Sequence, residues 1–320
     1  MTNITLSPKI IYKKLSEKVE GQHEAKKSLS LALYMHYTKI FQVFYNQEEY
    51  GQKSNLLFVG PTGCGKTHLI NSAKGILPHI PVIEVDATHL TKTGYIGNSL
   101  EDILESSLSE YGYMSEYAIV FIDEIDKLCV PFRSADSSDY NKEIQHNILK
   151  MIEGAEIHIK DEYKNKTKAK KLNTKNMLFI LGGNFQKIRK AYKESQAKGG
   201  IGFKRTTNNV KITNLHVELI EVGLVQELAG RISSMVELME LNKTALRKIF
   251  YNPKVGVYAE YKKLLKVVHL DLELSPYYVN KIIDRCVENK TGARGLNTAM
   301  DEILSEKIFN NVEICFPIIK

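Results

Sequence analysis

The sequence predicts a doubly wound α/β domain, in which helices cover both faces of a parallel sheet, followed by a smaller and mainly helical domain. Three observations lead to this fold class. Short apolar runs alternate with helical patterns in the first part of the chain, a glycine-rich segment joins one such run to a helix, and the alternation ends near Met239. We therefore predict one domain over residues 1–238 and a second over residues 239–320.

The elements of the larger domain follow from the spacing of its apolar residues. Between Lys142 and Glu153, apolar residues recur every three or four positions and share one face of a predicted helix. A second helix is expected from Lys66. The short apolar runs predict parallel strands at Leu56–Val59, Val82–Val85, Ala118–Ile122 and Met177–Leu181.

The smaller domain has the pattern helix, helix, strand, helix, helix. Val267 to Leu274 alternates as a strand does, and Ser275 and Pro276 suit the N-cap and first position of the next helix. Long surface loops are expected at Lys160–Lys171, which is rich in lysine, and at Lys187–Asn209.

Composition excludes several classes of protein. Of the 320 residues, 43% are apolar and 25% are charged, as in ordinary globular proteins. No apolar run approaches the ~18 residues that cross a bilayer, and the first residues lack the apolar core of a secretory signal, so we expect a cytoplasmic protein without a membrane partner. The net charge of +7 permits nucleic-acid contact without requiring it. The four cysteines form no CxxC pair, so neither a disulfide framework nor a zinc site is expected.

The segment from Gly60 to Thr67 fits the phosphate-binding pattern GxxxxGK[ST] and lies between a predicted strand and a predicted helix. Its glycines let the backbone N–H groups surround phosphates, and the helix N-terminus adds a favourable dipole. Lys66 is expected to reach the β- and γ-phosphates and Thr67 to bind Mg²⁺. The candidate nucleotide-binding residues here are Pro61, Thr62, Gly63, Cys64, Gly65, Lys66 and Thr67.

Two acidic residues, Asp123 and Glu124, end the apolar run that starts at Ala118. A buried strand explains the apolar residues but not two adjacent carboxylates at its exit. A nucleotide site needs both, Asp123 to hold Mg²⁺ through water and Glu124 to polarise the attacking water. Together with the phosphate-binding segment, this pattern predicts hydrolysis of a nucleoside triphosphate.

These motifs resemble those of AAA+ ATPases, and the residues around them resemble the ClpX family of protein-unfolding rings, which feed the ClpP peptidase. The resemblance covers nearly the whole chain and begins with Val19-Glu20-Gly21-Gln22-His23-Glu24-Ala25-Lys26. It implies an AAA+ fold, ATP and Mg²⁺ as cofactors, and contacts with adenine from Val19, Gly21 and Gln22. Glu20 stands where the family usually has an apolar residue.

Two further segments resemble working loops of the family. Thr93 to Gly97 is similar to the aromatic pore loop, and Gly200 to Phe203 is similar to the loop that holds the peptidase. From the residues alone, a plain surface turn remains an alternative for the first segment, and a loop with an inward-folded phenylalanine for the second. The residues implied are Tyr95 and Ile96 for gripping a polypeptide, and Ile201, Gly202 and Phe203 for docking a ClpP-type peptidase.

Two arginines lie in motifs of the same family. Leu228 to Arg231 is similar to the arginine-finger motif, which implies that Arg231 reaches the γ-phosphate of a neighbouring subunit in a homohexamer. Lys290 to Leu296 matches the sensor 2 motif and implies that Arg294 lies over the nucleotide of its own subunit. Two positive groups suit the charge that develops on a transferred phosphoryl group. Asn184 is the polar residue available as sensor 1.

Three departures from the family concern substrate choice. We expect its N-terminal zinc-binding domain to be absent, the lysine-rich loop replaces the RKH pore-entrance motif, and the second pore loop, around Ser134 to Lys142, lacks the usual S-G-E-G. The prediction is an ATP-dependent unfoldase of substrate proteins that delivers them to a ClpP-type peptidase. Two alternatives stay open, a peptidase-independent remodeller of protein complexes and a nucleic-acid-associated AAA+ motor.

Overall fold

A computed structural model describes residues 6–46, 53–77, 79–91, 99–129, 138–158, 171–190, 212–267 and 271–311. The main sheet consists of β1 (Leu56–Val59), β2 (Val82–Asp86), β3 (Ile119–Asp123), β6 (Leu178–Gly183) and β7 (Ser234–Glu237). These five strands are parallel and lie in the order β2-β3-β6-β1-β7. A separate antiparallel pair joins β4 (Glu156–His158) to β5 (Lys171–Asn173).

Helices pack on both faces of this sheet and form the C-terminal part. In the larger part they are α1 (Pro8–Ser16), α2 (His23–Asn46), α3 (Lys66–Ala73), α4 (Leu100–Tyr111), α5 (Ser138–Glu153), α6 (residues 186–190), α7 (Ile212–Glu221) and α8 (Gln226–Ala229). The C-terminal helices are α9 (Lys243–Phe250), α10 (Val257–Val267), α11 (Pro276–Glu288) and α12 (Gly295–Asn311). Within the described ranges, none of these helices combines the length and apolar character needed to span a membrane.

The alternation of side chains along the strands builds two apolar cores. Leu57, Val120 and Phe179 point to the face covered by α4, α5 and α8. Phe58 and Phe121 point to the other face, which α1, α2 and α3 cover. Strands buried on both faces appear in a sequence as continuous apolar runs, which is why these strands could be predicted. The expected α/β fold with helices on both sides of a parallel sheet is confirmed.

The strand predicted at Leu56–Val59 has the same bounds as β1, and the other three predicted strands differ from β2, β3 and β6 by one or two residues at their ends. Helix α5 begins before Lys142 and ends at Glu153. The sequence did not predict β7 or the pair β4 and β5. The loop expected over Lys187–Asn209 is wrong in its first residues, because residues 187–190 belong to α6 and Ile188 is buried. Lys171 likewise lies in β5, and the rest of the lysine-rich loop, residues 160–170, lies outside the described residues.

A third apolar core forms among the C-terminal helices, with Leu246 and Phe250 of α9 against Ile282, Leu296 and Met300. The strand predicted over Val267–Leu274 is wrong at the positions that the structure describes. Val267 ends α10, and residues 271–274 pair with no described strand. The carbonyl oxygen of Leu272 instead accepts a hydrogen bond from the Tyr258 hydroxyl at 3.0 Å.

The register of the main sheet brings the carboxyl ends of its strands to one edge. Val59 lies opposite both Gly183 and Glu237, and Asp86 lies opposite Asp123. The carboxyl edge of a parallel sheet is where open α/β folds bind ligands. The residues that follow these strands are therefore candidates for a ligand-binding site.

Candidate active site

The glycine-rich segment after β1 forms a tight loop that ends at the first residue of α3. Gly63 and Gly65 have φ angles of 75° and 100°, in the left-handed region that side chains disfavour. The Lys66 ammonium donates to the carbonyl oxygens of Gly60 and Pro61, at 2.8 and 3.2 Å. The loop thus presents a cation and the N-terminus of a helix to the same cleft, an arrangement suited to phosphate.

The acidic pair at the end of β3 lies directly beside this loop. The Thr67 hydroxyl donates to Asp123 Oδ2 at 2.7 Å, and the backbone N–H of Glu124 donates to Asp123 Oδ1 at 2.9 Å. Glu124 itself has a φ of 58°, a left-handed conformation that is uncommon for a residue with a side chain. This turn ends the strand and leaves both acids on the wall of the cleft.

The opposite walls come from β6 and from the C-terminal helices. The backbone N–H of Asn184 donates to Asp126 Oδ1 at 3.1 Å, which joins the end of β6 to the turn after β3. Arg294 and Ala293 close the cleft from the C-terminal part. The complete lining is Thr62, Gly63, Gly65, Lys66, Thr67, His68, Asp123, Glu124, Asp126, Lys127, Gly183, Asn184, Ala293 and Arg294.

Among the polar and charged residues of this lining, sequence reasoning missed three, His68, Asp126 and Lys127. Each lies one to three positions after a residue that was identified, so proximity along the chain was the available signal. His68 lies in the first turn of α3, and its ring Nε2 contacts the carbonyl oxygen of Lys18 at 3.1 Å. It therefore links the phosphate-binding helix to the N-terminal segment.

A second cleft lies on the other side of the phosphate-binding loop, between Pro61–Cys64 and the C-terminal part. Its apolar walls are Leu241, Leu246 and Val287, none of which was singled out from the sequence. Cys64 is buried inside the loop, and burial raises the pKa of its thiol, so Cys64 serves as a small uncharged packing residue. The remaining lining of this cleft includes Glu240, Asn242 and Lys290, so apolar and polar groups face each other across it.

The N-terminal segment reaches this region through Gln22. Its side-chain Nε2 donates to the carbonyl oxygens of Cys64 and Met239 at 3.1 and 2.8 Å, and its Oε1 accepts from the Met239 N–H at 2.9 Å. Gly21 precedes it with a φ of 64°. Val19 is buried beneath α1 and α2 and lines neither cleft.

Arg231 lies near the amino end of β1, whereas the cleft lies at the carboxyl ends of the strands. The Asn55 side chain, just before β1, donates to the Arg231 carbonyl oxygen at 3.0 Å, and the Arg231 side chain pairs with Glu153 at the end of α5. The four residues of β1 separate this position from the phosphate-binding loop, which at ~3.3 Å per residue amounts to ~13 Å. Arg231 therefore does not line the cleft of its own subunit.

The proposed pore and docking residues, Tyr95, Ile96, Ile201, Gly202 and Phe203, lie outside the described residues, as do positions 134–137 of the second pore loop. Within the described ranges, no group of three histidine, cysteine or acidic side chains is arranged to hold a metal ion.

A parallel sheet with a phosphate-binding loop and an acidic strand end at one edge, closed by an arginine from a C-terminal helical part, defines an AAA+ ATPase. Comparison with known proteins agrees, since the family model "AAA domain (Cdc48 subfamily)" matches residues 51–235. Three curated relatives carry the name "ATP-dependent Clp protease ATP-binding subunit ClpX".

The relative from Bacteroides fragilis is 33% identical, over 92% of this chain and 74% of its own length. Those from Bacteroides thetaiotaomicron and Porphyromonas gingivalis are 33% and 31% identical, over 94% and 92% of this chain and 76% and 75% of their own lengths. The chain belongs to the ClpX family of AAA+ ATPases, as its sequence motifs predicted, and it is an ATPase that binds nucleotide.

Proposed function

We propose that this ATPase is the subunit of a homohexameric ring that unfolds proteins by pulling them through a central pore. The observation that carries the proposal is the position of Arg231. Its own cleft already contains Lys66 and Arg294, whereas the Arg231 main chain lies at the far end of β1, one strand length or ~13 Å away. An arginine so placed is useful for hydrolysis only if it enters the cleft of a neighbouring subunit.

The chemistry within one cleft follows from its residues. Lys66 neutralises the β- and γ-phosphates, Glu124 orients and polarises the attacking water, and Arg294 contacts the nucleotide of its own subunit. The hydroxyl of Thr67 and the carboxylate of Asp123 are 2.7 Å apart and supply the hard oxygen ligands that Mg²⁺ prefers. Mg²⁺ at this position would neutralise negative charge on the β- and γ-phosphate oxygens.

Coupling of hydrolysis to movement requires two bodies that rotate relative to each other. We place them at residues 1–238 and 239–320, because the C-terminal helices have their own apolar core. Nucleotide lies between the two bodies in this proposal, since both clefts are lined by residues from each. Gly21 and Gln22 hold the adenine side, with Gln22 acting through its bonds to the loop and to Met239, whereas Val19 lies in the core and has no part in it.

The mechanical parts are assigned from sequence. Tyr95 and Ile96 grip the polypeptide in the pore, while Ile201, Gly202 and Phe203 dock the ring on a ClpP-type peptidase. The printed name of the relatives, ATP-binding subunit of a Clp protease, supports a peptidase partner. A ring without such a partner, which remodels protein complexes, is the second candidate, and loss or retention of peptidase binding separates the two.

Mixing two inactive variants tests the shared site. Arg231→Ala subunits keep a complete cleft but supply no arginine to their neighbours, and each should lose ~10³ to 10⁵ in turnover. Glu124→Gln subunits have an inactive cleft but still supply Arg231. We expect the mixture to regain ATPase activity, with a maximum at intermediate ratios.

The control mixes Arg231→Ala with the Arg231→Ala/Glu124→Gln double variant, which supplies neither group and should restore nothing. If the first mixture stays as inactive as its components, the arginine does not act between subunits and the proposed ring site is wrong.

A further inference from the structure

A largely buried ion pair joins α6 to the end of β7. The Arg189 Nε donates to Glu237 Oε1 at 3.2 Å, and the two side chains are only 12% and 13% exposed. Burying two charges is costly, and replacing such a pair with apolar residues is often neutral or stabilising. Stability alone therefore gives little reason for an ion pair at this position.

The other end of the guanidinium reaches the nucleotide cleft. Arg189 Nη1 donates to Asn184 Oδ1 at 3.1 Å, and Asn184 lines the cleft beside Lys66 and Asp123. A side-chain amide has an acceptor oxygen and a donor nitrogen. Because Arg189 occupies the oxygen, it fixes the orientation of the amide and leaves the Nδ2 donor for the cleft. A donor is the group that a negatively charged phosphate needs.

Glu237 connects the pair to the linker between the two bodies. It is the last residue of β7, and the next residue, Leu238, donates its N–H to the Val59 carbonyl oxygen at 2.7 Å. Met239 follows, held on both its N–H and its carbonyl by Gln22. An unbroken series of contacts therefore runs from Asn184 through Arg189 and Glu237 to the linker at residues 238–242.

We propose that Arg189 is a positioning residue that couples the occupant of the phosphate side of the cleft to this linker. It holds the Asn184 amide ready to donate to a terminal phosphate, and its rigid fork transmits the position of Asn184 to Glu237. Loss of the terminal phosphate then alters the conformation of the linker. The orientation of the C-terminal helices changes with it. This inference rests on the proposed nucleotide cleft.

Arg189→Met tests the coupling by removing both hydrogen bonds while keeping the length of the side chain. We expect kcat for ATP to fall about 10-fold, as is common when a supporting residue behind a site is lost, with KM and ADP affinity nearly unchanged. Hydrogen exchange of the peptide spanning residues 238–242 should differ between ADP and a slowly hydrolysed ATP analogue in the wild type. That difference should disappear in Arg189→Met.

A double variant separates signalling from stability. Arg189→Met leaves the largely buried Glu237 without its partner, whereas Arg189→Met/Glu237→Met replaces the pair with two apolar side chains and should restore thermal stability. We expect this double variant to stay defective in kcat and in the exchange response. If both recover together with stability, or if the wild-type linker exchanges equally with the two nucleotides, the proposal is overturned.

Two controls make the outcome specific. Arg247→Met breaks a comparable arginine–asparagine bond, to Asn280, on the exposed surface of α9 and should change neither kcat nor linker exchange.

Glu124→Gln should stop hydrolysis. If Glu124→Gln is inactive but Arg189→Met is normal, only the coupling is wrong; if both are normal, the nucleotide cleft itself is misassigned.

Discussion

The carbonyl oxygen of Gly63 in the phosphate-binding loop accepts a hydrogen bond from the Ala293 N–H at 3.2 Å. The adjacent Gly292 packs so closely that a Cβ placed on it would lie 2.5 Å from the same oxygen. Main chain thus contacts main chain between the loop and the segment that carries Arg294. Because no side chain can move aside to relieve such a contact, the distance between these two segments is tightly fixed.

Gly292→Ala should therefore displace Arg294 from the cleft. We expect weaker nucleotide binding and lower turnover, measured by titration with a fluorescent ATP analogue and by phosphate release. Gly112→Ala is the matched control, because Gly112 has the same φ of 59° but a Cβ added there would meet no atom within 4 Å. Gly112→Ala therefore introduces the same backbone strain, that of an alanine with a positive φ, but no steric clash. Equal loss of binding in the two variants would contradict the role of this contact.

Glu124→Gln should separate binding from hydrolysis. The substitution removes the carboxylate that polarises water but keeps the shape of the side chain, and loss of a general base typically costs ~10² to 10⁴ in rate. ATP affinity should stay close to that of the wild type, whereas Lys66→Ala should weaken binding itself. A Glu124→Gln variant that hydrolyses ATP at a normal rate would show that another residue activates the water.

Stability should fall in mild acid because of His36. This residue is buried on α2, its ring Nε2 donates to the Tyr117 carbonyl oxygen at 2.8 Å, and burial, with a contribution from Lys39 and Lys53, lowers its pKa from 6.5 to about 4. Between these two values the unfolded chain binds a proton that the folded chain does not. The contribution of His36 to the free energy of unfolding is therefore at its maximum above pH ~6.5. It declines by about 3 kcal/mol as the pH falls to ~4.

His36→Gln keeps a donor for Tyr117 and removes the titration, so its unfolding free energy should depend less steeply on pH between ~7 and ~4.5. Urea unfolding at several pH values measures the difference in slope. Identical slopes for wild type and His36→Gln would contradict the assignment.

Phe203→Ala should release the peptidase without stopping the motor. Weak loops repeated around a ring act through effective concentration, so weakening every copy at once removes much more affinity than one contact provides. Sedimentation of the mixed complex with a ClpP-type peptidase measures the loss, while ATP hydrolysis should stay near the wild-type rate. Retained binding would favour the peptidase-independent remodeller.

The parts of the fold that sequence could predict are those with a local signal. Strands β1, β3 and β6 are buried on both faces and show as apolar runs, and the loop at Gly60–Thr67 is recognisable by its spacing. The edge strand β7 is half-buried along most of its length and gives a weak pattern. Its prediction would have needed knowledge of its pairing with β1.

The same distinction applies to the site. Asp123 and Glu124 could be found because their chemistry is unusual at the end of an apolar strand. Leu246 and Val287 of the second cleft could not, because they lie far along the chain from Cys64 and resemble ordinary core residues in sequence. Arg189 was assigned to a surface loop, since nothing local reveals that Glu237 lies beside it.

The most direct test of ATP-driven unfolding compares Tyr95→Ala with the wild type on one substrate, a stable fluorescent protein fused to an unstructured tail, with ATP hydrolysis followed in the same sample. Hydrolysis should continue in Tyr95→Ala because the nucleotide cleft is intact, while the loss of fluorescence should cease because the pore no longer grips the chain. Unfolding by Tyr95→Ala at the wild-type rate would contradict translocation through this loop and, with it, the proposed function.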